Sequence, residues 1–158
     1  MGTIYCWFKS FFGLDLAEHL WGWDMTTGDY TKANQFNSIG LYMIILTLFL
    51  VIFFYYILNH PRFNRWWNWL IILAVNLFLN FLYAWRITLS DLNNNAISDD
   101  LVYVRNPDTG QIISQKIVES NCIYFGITNA IIATIVFIML SFMLRWWSRN
   151  CSTCPYPN

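Results

Sequence analysis

The chain has 158 residues, of which 57% are hydrophobic, 20% aromatic and only 11% charged. A soluble domain of this size could not bury so much apolar surface, so the composition indicates a membrane protein. The 9 Lys and Arg balance the 9 Asp and Glu, which leaves no basic excess to neutralise a phosphate backbone, so nucleic acid is not an expected partner.

The N-terminal segment, residues 1–36, is rich in aromatic side chains but includes Lys9, Asp15, Glu18 and His19. Each charge near the bilayer centre costs roughly 2.5 to 3.5 kcal/mol on insertion scales, which argues against a fourth span that would place the N-terminus inside. Apolar residues at spacings of three and four instead predict an amphipathic helix in the outer interface of the membrane. They are Ile4, Phe8, Phe11, Phe12, Leu16, Leu20 and Trp23.

A bend is expected in this helix at Gly13, a residue suited to ending a first short helix. Asp15, followed three residues later by Glu18, resembles a capping box that starts a second helix. The segment lacks the basic start and the small-residue cleavage site of a secretory signal, so we expect it to stay on the chain.

Three uncharged apolar stretches are long enough to cross the hydrocarbon core, which requires roughly 20 helical residues. They are residues 39–58, 66–85 and 122–144. Aromatic residues near their ends are typical of the membrane interface, where part of each ring meets water. These are Tyr55, Tyr56, Trp66, Trp67, Trp69, Trp85, Trp146 and Trp147.

Basic residues outside the spans indicate the orientation. Arg62 and Arg65 lie between the first two spans, and Arg145 and Arg149 lie in the tail, residues 145–158, in both cases without an acid. The N-terminal segment and the loop 86–121 are acid-rich by comparison. The positive-inside rule therefore predicts an integral protein of the cytoplasmic (inner) membrane, with the N-terminus outside and the C-terminus inside.

The outer loop carries the pattern of a β-hairpin, in which residues 101–105 pair with residues 111–118 around the turn sequence NPDTG. Two strands alone are marginal in water, so the hairpin should rest against the N-terminal segment or a neighbouring subunit. An exposed strand edge can dock another protein, although a simple surface connection is the plainer interpretation. The candidate docking residues are Val102, Val104, Asp108, Gly110 and Ile112.

Asparagines mark one face of the second span, because Asn64, Asn68, Asn76 and Asn80 are separated by four or eight residues. A carboxamide in hydrocarbon must find a hydrogen-bond partner, across helices or in a water-filled cavity. Packing between helices is favoured over a pore lining because these groups are neutral and their face is otherwise apolar.

The third span offers a surface on which the second span could pack. Gly126, Ala130 and Thr134 are spaced by four, with Ala133 nearby, a pattern that allows close approach of two helices. Asn129 lies beside this strip, at a depth that would suit a hydrogen bond with Asn76. The first span has Thr47 as its polar exception and is expected to face lipid.

The cysteines do not form a clear metal-binding or redox motif. Cys151 and Cys154 form a CxxC in the tail, but a structural zinc site needs four ligands and none is evident nearby, so free thiols are favoured over metal. Cys6 and Cys122 fall on the predicted outer side and could form a disulfide. The spans contain no ionisable acid or base, so an enzyme is not expected, nor is a cofactor.

The sequence therefore predicts an all-α integral membrane protein, a single membrane domain with three transmembrane helices, an interfacial N-terminal helix and a small extramembrane hairpin. Its expected function is a non-enzymatic anchor or assembly subunit of a membrane or envelope complex. It would contact the lipid bilayer, form homo-oligomers and dock an extramembrane protein. The alternative is a homo-oligomeric channel in which the asparagine face lines a narrow conduit.

Overall fold

A computed structural model describes residues 2–57 and 65–147, and this part of the chain is mostly helical with one small antiparallel sheet. The N-terminal segment contains the short helices α1 (Gly2–Cys6), α2 (Lys9–Phe12) and α3 (Leu14–Trp21). The long helices are α4 (Gln35–Ile52, continued by a π-helical turn, Phe53–Ile57), α5 (Trp66–Asn93) and α7 (Glu119–Leu144). Between α5 and α7 lie helix α6 (Asp99–Val102) and strands β1 (Tyr103–Arg105) and β2 (Ile112–Gln115).

Three helices in the described ranges are long and apolar enough to cross a membrane, and they cover the three predicted stretches except residue 58, which lies outside the described residues. Each helix is longer than its apolar stretch. The largest difference is in α5, which continues eight residues past Trp85 into the predicted loop. Helical hydrogen bonding does not depend on side-chain polarity, so a hydropathy boundary need not be a helix boundary.

The end of α5 is set by backbone capping. Asn95 adopts a left-handed conformation with φ 51°, which asparagine tolerates better than most residues. The Ala96 N–H donates to the Asp91 carbonyl at 2.9 Å, and the Asn95 N–H donates to the Leu92 carbonyl at 3.4 Å. This is a Schellman motif, which satisfies carbonyls that the helix leaves open.

The chain forms two compact units. The first unit comprises residues 2–41 and 82–129, and the second comprises the described residues 42–57, 65–81 and 130–147. The core of the first unit is aromatic. Phe36 is fully buried, and the ring centroids of Tyr5, Phe12, Trp21 and Phe125 lie 5.2 to 6.4 Å from its own.

The N-terminal segment bends at Gly13, as the sequence predicts, but in three short helices rather than two. Gly13 has φ 103° and a Cβ there would lie 2.7 Å from the Asn121 amide nitrogen, so both the conformation and the space favour glycine. The predicted capping box is wrong. Helix α3 begins at Leu14 with Gly13 as its N-cap, which leaves Asp15 inside the first turn.

The predicted apolar stripe of this segment is divided between interior and surface. Phe12, Leu16 and Leu20 are fully buried in the first unit, whereas Ile4 is 43% and Phe11 49% exposed. The breaks between the short helices rotate successive faces, so a single helical periodicity does not hold along the whole segment. The segment therefore packs on protein as well as presenting apolar side chains outward.

The second unit has its own core, in which Val51, Phe54, Tyr55, Trp69 and Phe137 pack together. Tyr55 is fully buried and Trp69 is 9% exposed. Both rings therefore pack against protein, and their place in the aromatic belt at the membrane interface stays a prediction. The Trp69 indole donates to Ser141 Oγ at 3.3 Å.

The predicted hairpin is confirmed, with shorter strands than the sequence suggested. Tyr103 pairs with Gln115 and Val104 with Ser114, and the register then shifts so that Arg105 pairs with Ile112. The shift leaves Ile113 as the extra residue of a β-bulge. Residues 101 and 102 end helix α6 instead of starting a strand, a consequence of the acidic first turn Asp99–Asp100, which favours a helix N-terminus.

Candidate functional site

The amide cluster is a buried polar group in the second unit, formed by Thr47, Asn76 and Asn80. All three side chains have zero exposure. Thr47 Oγ1 donates to Asn76 Oδ1 at 3.1 Å, and Asn80 Nδ2 donates to the same oxygen at 3.1 Å and to the Asn76 carbonyl at 2.9 Å. Asn76 Nδ2 donates to the Ala133 carbonyl at 3.3 Å.

These bonds join side chains of α4 and α5 to the backbone of α7. The expectation that the first span only faces lipid is therefore wrong at Thr47, which is buried and paired with Asn76. A threonine hydroxyl in hydrocarbon gains from a carboxamide acceptor because water is absent there. Asn68, another residue of the predicted asparagine face, is only half-buried.

The strip of small residues on α7 is largely enclosed. Gly126, Ala130 and Ala133 are buried, and Thr134 is half-buried with its hydroxyl donating to the Ala130 carbonyl at 2.9 Å. Small side chains leave the helix backbone open to a neighbour, which explains how the Ala133 carbonyl can accept a bond from Asn76. The role assigned to this strip in helix packing stays a prediction.

Asn129 has a partner that the sequence gave no reason to expect. Its Oδ1 accepts a 2.5 Å hydrogen bond from the Tyr5 hydroxyl, and both side chains are buried in the first unit. Burial raises the pKa of the Tyr5 hydroxyl, so this group remains protonated and keeps its donor role. The predicted hydrogen bond between Asn76 and Asn129 stays a prediction.

The hairpin is the second candidate site, and its five predicted docking residues fall in different environments. Asp108, Gly110 and Ile112 are exposed and Val104 is half-buried, but Val102 is only 6% exposed. Val102 therefore cannot belong to a docking surface, because it ends helix α6 facing the core of the first unit. Ile113, at the bulge, is 64% exposed and is a better candidate that the sequence did not single out.

The hairpin region rests on the N-terminal segment, the first of the two supports that the sequence predicts. Lys116 Nζ lies 3.2 Å from Asp15 Oδ1, and the Trp23 indole donates to Asp100 Oδ2 at 3.0 Å. The turn is held internally, since the Gly110 N–H donates to the Asn106 carbonyl at 2.8 Å. These contacts hold the exposed tip on a structured base.

A histidine contact in the first unit was also not predicted from the sequence. His19 is 4% exposed, and its Nε2 lies 3.2 Å from Asp91 Oδ2. The two residues are 72 positions apart, and the extension of α5 that carries Asp91 was not predicted. No spacing pattern in the sequence could have paired them.

A cleft in the first unit has a volume of about 730 Å³. Its charged side chains largely pair with one another, as Arg105 does with Asp99 at 2.9 Å. At its rim, the pKa of Asp24 is lowered by bonds from the Thr26 N–H and hydroxyl, with smaller contributions from Thr31 and Lys32.

Metal-ligating residues do not cluster within residues 2–57 and 65–147. Cys6 and Cys122 are free thiols rather than a disulfide, and the Cys6 sulfur accepts a bond from the Trp21 indole at 3.0 Å. Cys151 and Cys154 lie outside the described residues. Comparison of the chain with protein-family models, curated proteins and solved structures found no match.

Proposed function

We propose that this chain is a non-enzymatic membrane anchor that serves as an assembly subunit of a membrane or envelope complex. The observation that carries the proposal is the distribution of polarity in the second unit. Its polar amides are turned inward and bonded within the chain, while its exposed surface between the helix ends is apolar. Such a surface suits lipid, and such an interior suits a scaffold.

The burial of the amide cluster argues against the alternative function, a pore. In a ring of subunits, side chains that line a conduit must be exposed on each subunit's own surface. Asn76 and Asn80 have zero exposure within one chain. The bonds of Asn76 to Thr47 and Ala133, and those of Asn80 to Asn76, would have to break for the two amides to face water. The geometry therefore favours the anchor over the channel.

The outward-facing apolar side chains of the second unit support the anchor directly. On α5 the exposed residues include Ile71 at 58% and Phe78 at 58%, and on α7 they include Ile135 at 51% and Met139 at 60%. A water-soluble surface rarely carries so many large exposed hydrophobic residues together. Association of several copies and location in a cytoplasmic membrane belong to the same proposal.

The exposed hairpin is proposed as the docking element, on the side where the N-terminus lies. Its base is fixed by Lys116 and Asp15, and its tip presents Ile112 and Ile113, which are 56% and 64% exposed. Two adjacent exposed isoleucines on a short strand with an open edge suit addition of a further strand from a partner. The arginines without acids between the first two spans and in the tail support an outward orientation of this region.

Single cysteines at Thr109, in the turn, and Ile113, at the bulge, should report orientation and docking together. In a background with alanine at all four native cysteines, an impermeant maleimide added outside intact cells should label Thr109→Cys. Ile113→Cys should be labelled more slowly in cells than in purified protein, because a docked partner would cover it.

Thr109→Cys serves as the matched control, since both positions share the hairpin. If the reagent fails to reach Thr109→Cys until the membrane is opened, the proposed orientation is wrong. If Ile113→Cys reacts at the same rate in cells and in purified protein, the hairpin is not a docking element.

A further inference from the structure

The N-terminal apolar patch consists of Ile4, Trp7, Phe11 and Leu14, which are 43%, 80%, 49% and 56% exposed. The four residues follow one another at spacings of three, four and three. On their other side the same short helices bury Tyr5, Phe12 and Leu16 in the first unit. The segment is thus apolar on two faces, and only one of them is covered by protein within the described residues.

The patch adjoins the start of a helix that is long and apolar enough to cross a membrane. The Phe11 ring lies 5.0 Å from the ring of Tyr124, which is 42% exposed near the start of α7. The exposed start of this helix therefore extends the patch within the first unit.

We infer that the N-terminal apolar patch is a lipid-binding surface that inserts into the boundary between headgroups and acyl chains. The inference rests on the membrane anchoring proposed above, in which α7 is a span. Because Phe11 contacts Tyr124 near the start of α7, the patch lies where that span would enter the membrane. Trp7 suits this depth, since an indole places its apolar body in the acyl region and its N–H among the headgroups.

A charged residue of the same segment also fits a lipid surface. Lys9 lies between Trp7 and Phe11 in the sequence and is exposed, and it has no ion-pair partner among the described residues. A lysine beside an interfacial apolar surface extends its ammonium to lipid phosphates while its stem stays in the apolar layer. A lipid surface therefore accommodates both the apolar side chains and the Lys9 ammonium.

This surface differs from the stripe that the sequence alone indicated. Trp7 and Leu14 were not part of that stripe, and Phe12, Leu16 and Leu20, which were, are occupied by the core. The breaks at residues 7 and 8 and at Gly13 turn a new set of side chains outward.

Spin labels should locate the patch in purified protein reconstituted into phosphatidylcholine and phosphatidylglycerol vesicles. Labels are placed singly at Trp7→Cys, Leu14→Cys, Ile135→Cys and Thr109→Cys, with alanine at the four native cysteines. Collision with oxygen should exceed collision with the water-soluble reagent NiEDDA at Trp7 and Leu14, as at Ile135, with the opposite result at Thr109.

The controls separate the possible failures. Water-like collision at Trp7 and Leu14 with lipid-like collision at Ile135 would overturn the lipid-binding surface and leave the anchor intact. Water-like collision at Ile135 would overturn both. Protection of Trp7 and Leu14 from both reagents would show that a second copy covers the patch and would also overturn the inference. Two labelled positions guard against a single variant that fails to fold.

Discussion

Replacement of Phe36 by alanine should destabilise the protein by about 3 to 5 kcal/mol, the range for removing a phenyl ring from a packed core. Phe36 has zero exposure and contacts four other rings in the first unit, among them Tyr5 on α1 and Phe125 on α7. The cavity would therefore loosen the N-terminal segment from the long helices. Reversible denaturation in detergent, followed by near-UV circular dichroism, measures the loss.

Phe11→Ala is the matched control for this prediction. Phe11 is 49% exposed in the same unit, so its truncation removes the same atoms without creating an enclosed cavity, and we expect a much smaller loss. Equal losses for the two variants would mean that the aromatic core does not hold the first unit together.

Replacement of Asn76 by leucine should destabilise the protein by about 1 to 2 kcal/mol, near the upper end measured for hydrogen bonds between membrane helices. Leucine would leave the Thr47 hydroxyl and the Asn80 amide without the oxygen that both now use. The Asn80 amide keeps its bond to the backbone carbonyl at position 76, so the desolvation cost falls mainly on the buried Thr47 hydroxyl. Unfolding in mixed detergent micelles gives the free energy.

A double-mutant cycle with Thr47→Val isolates the contact itself, because valine keeps the shape of threonine and removes the hydroxyl. We expect a coupling of about 0.6 kcal/mol between the two positions. Val75→Leu, a partly exposed position one residue away, should have little effect. Additive losses at Thr47 and Asn76 would contradict the bond between them.

The membrane spans were predictable because length and apolarity are sufficient evidence for them. The turn of the hairpin was predictable for a similar reason, since NPDTG combines residues that each favour a turn. The helix ends were not predictable. The end of α5 depends on Asn95 adopting a left-handed backbone conformation, which composition does not reveal. The extra two turns of α5 carry Asp91, so its contact with His19 was missed as well.

The amide cluster shows where periodicity helps and where it fails. The spacing of four residues predicted that Asn76 and Asn80 share a helix face, and the structure places both on a buried face. The partner of Asn76 on α4, Thr47, was not predicted, because a single threonine in an apolar stretch has no period. Asn129 likewise pairs with Tyr5, more than a hundred residues away, through tertiary packing that a pattern along one helix cannot report.

The central proposal is a membrane anchor whose polar side chains are turned inward. A conductance measurement tests this proposal most directly. The purified protein is reconstituted into planar bilayers, and its oligomeric size is measured beside that of Asn76→Leu and Asn80→Leu. We expect no single-channel steps from the wild type under applied voltage, because the amide cluster is closed within each chain. Reproducible steps from the wild type, lost in an asparagine variant that keeps its oligomeric size, would contradict the anchor and establish the pore.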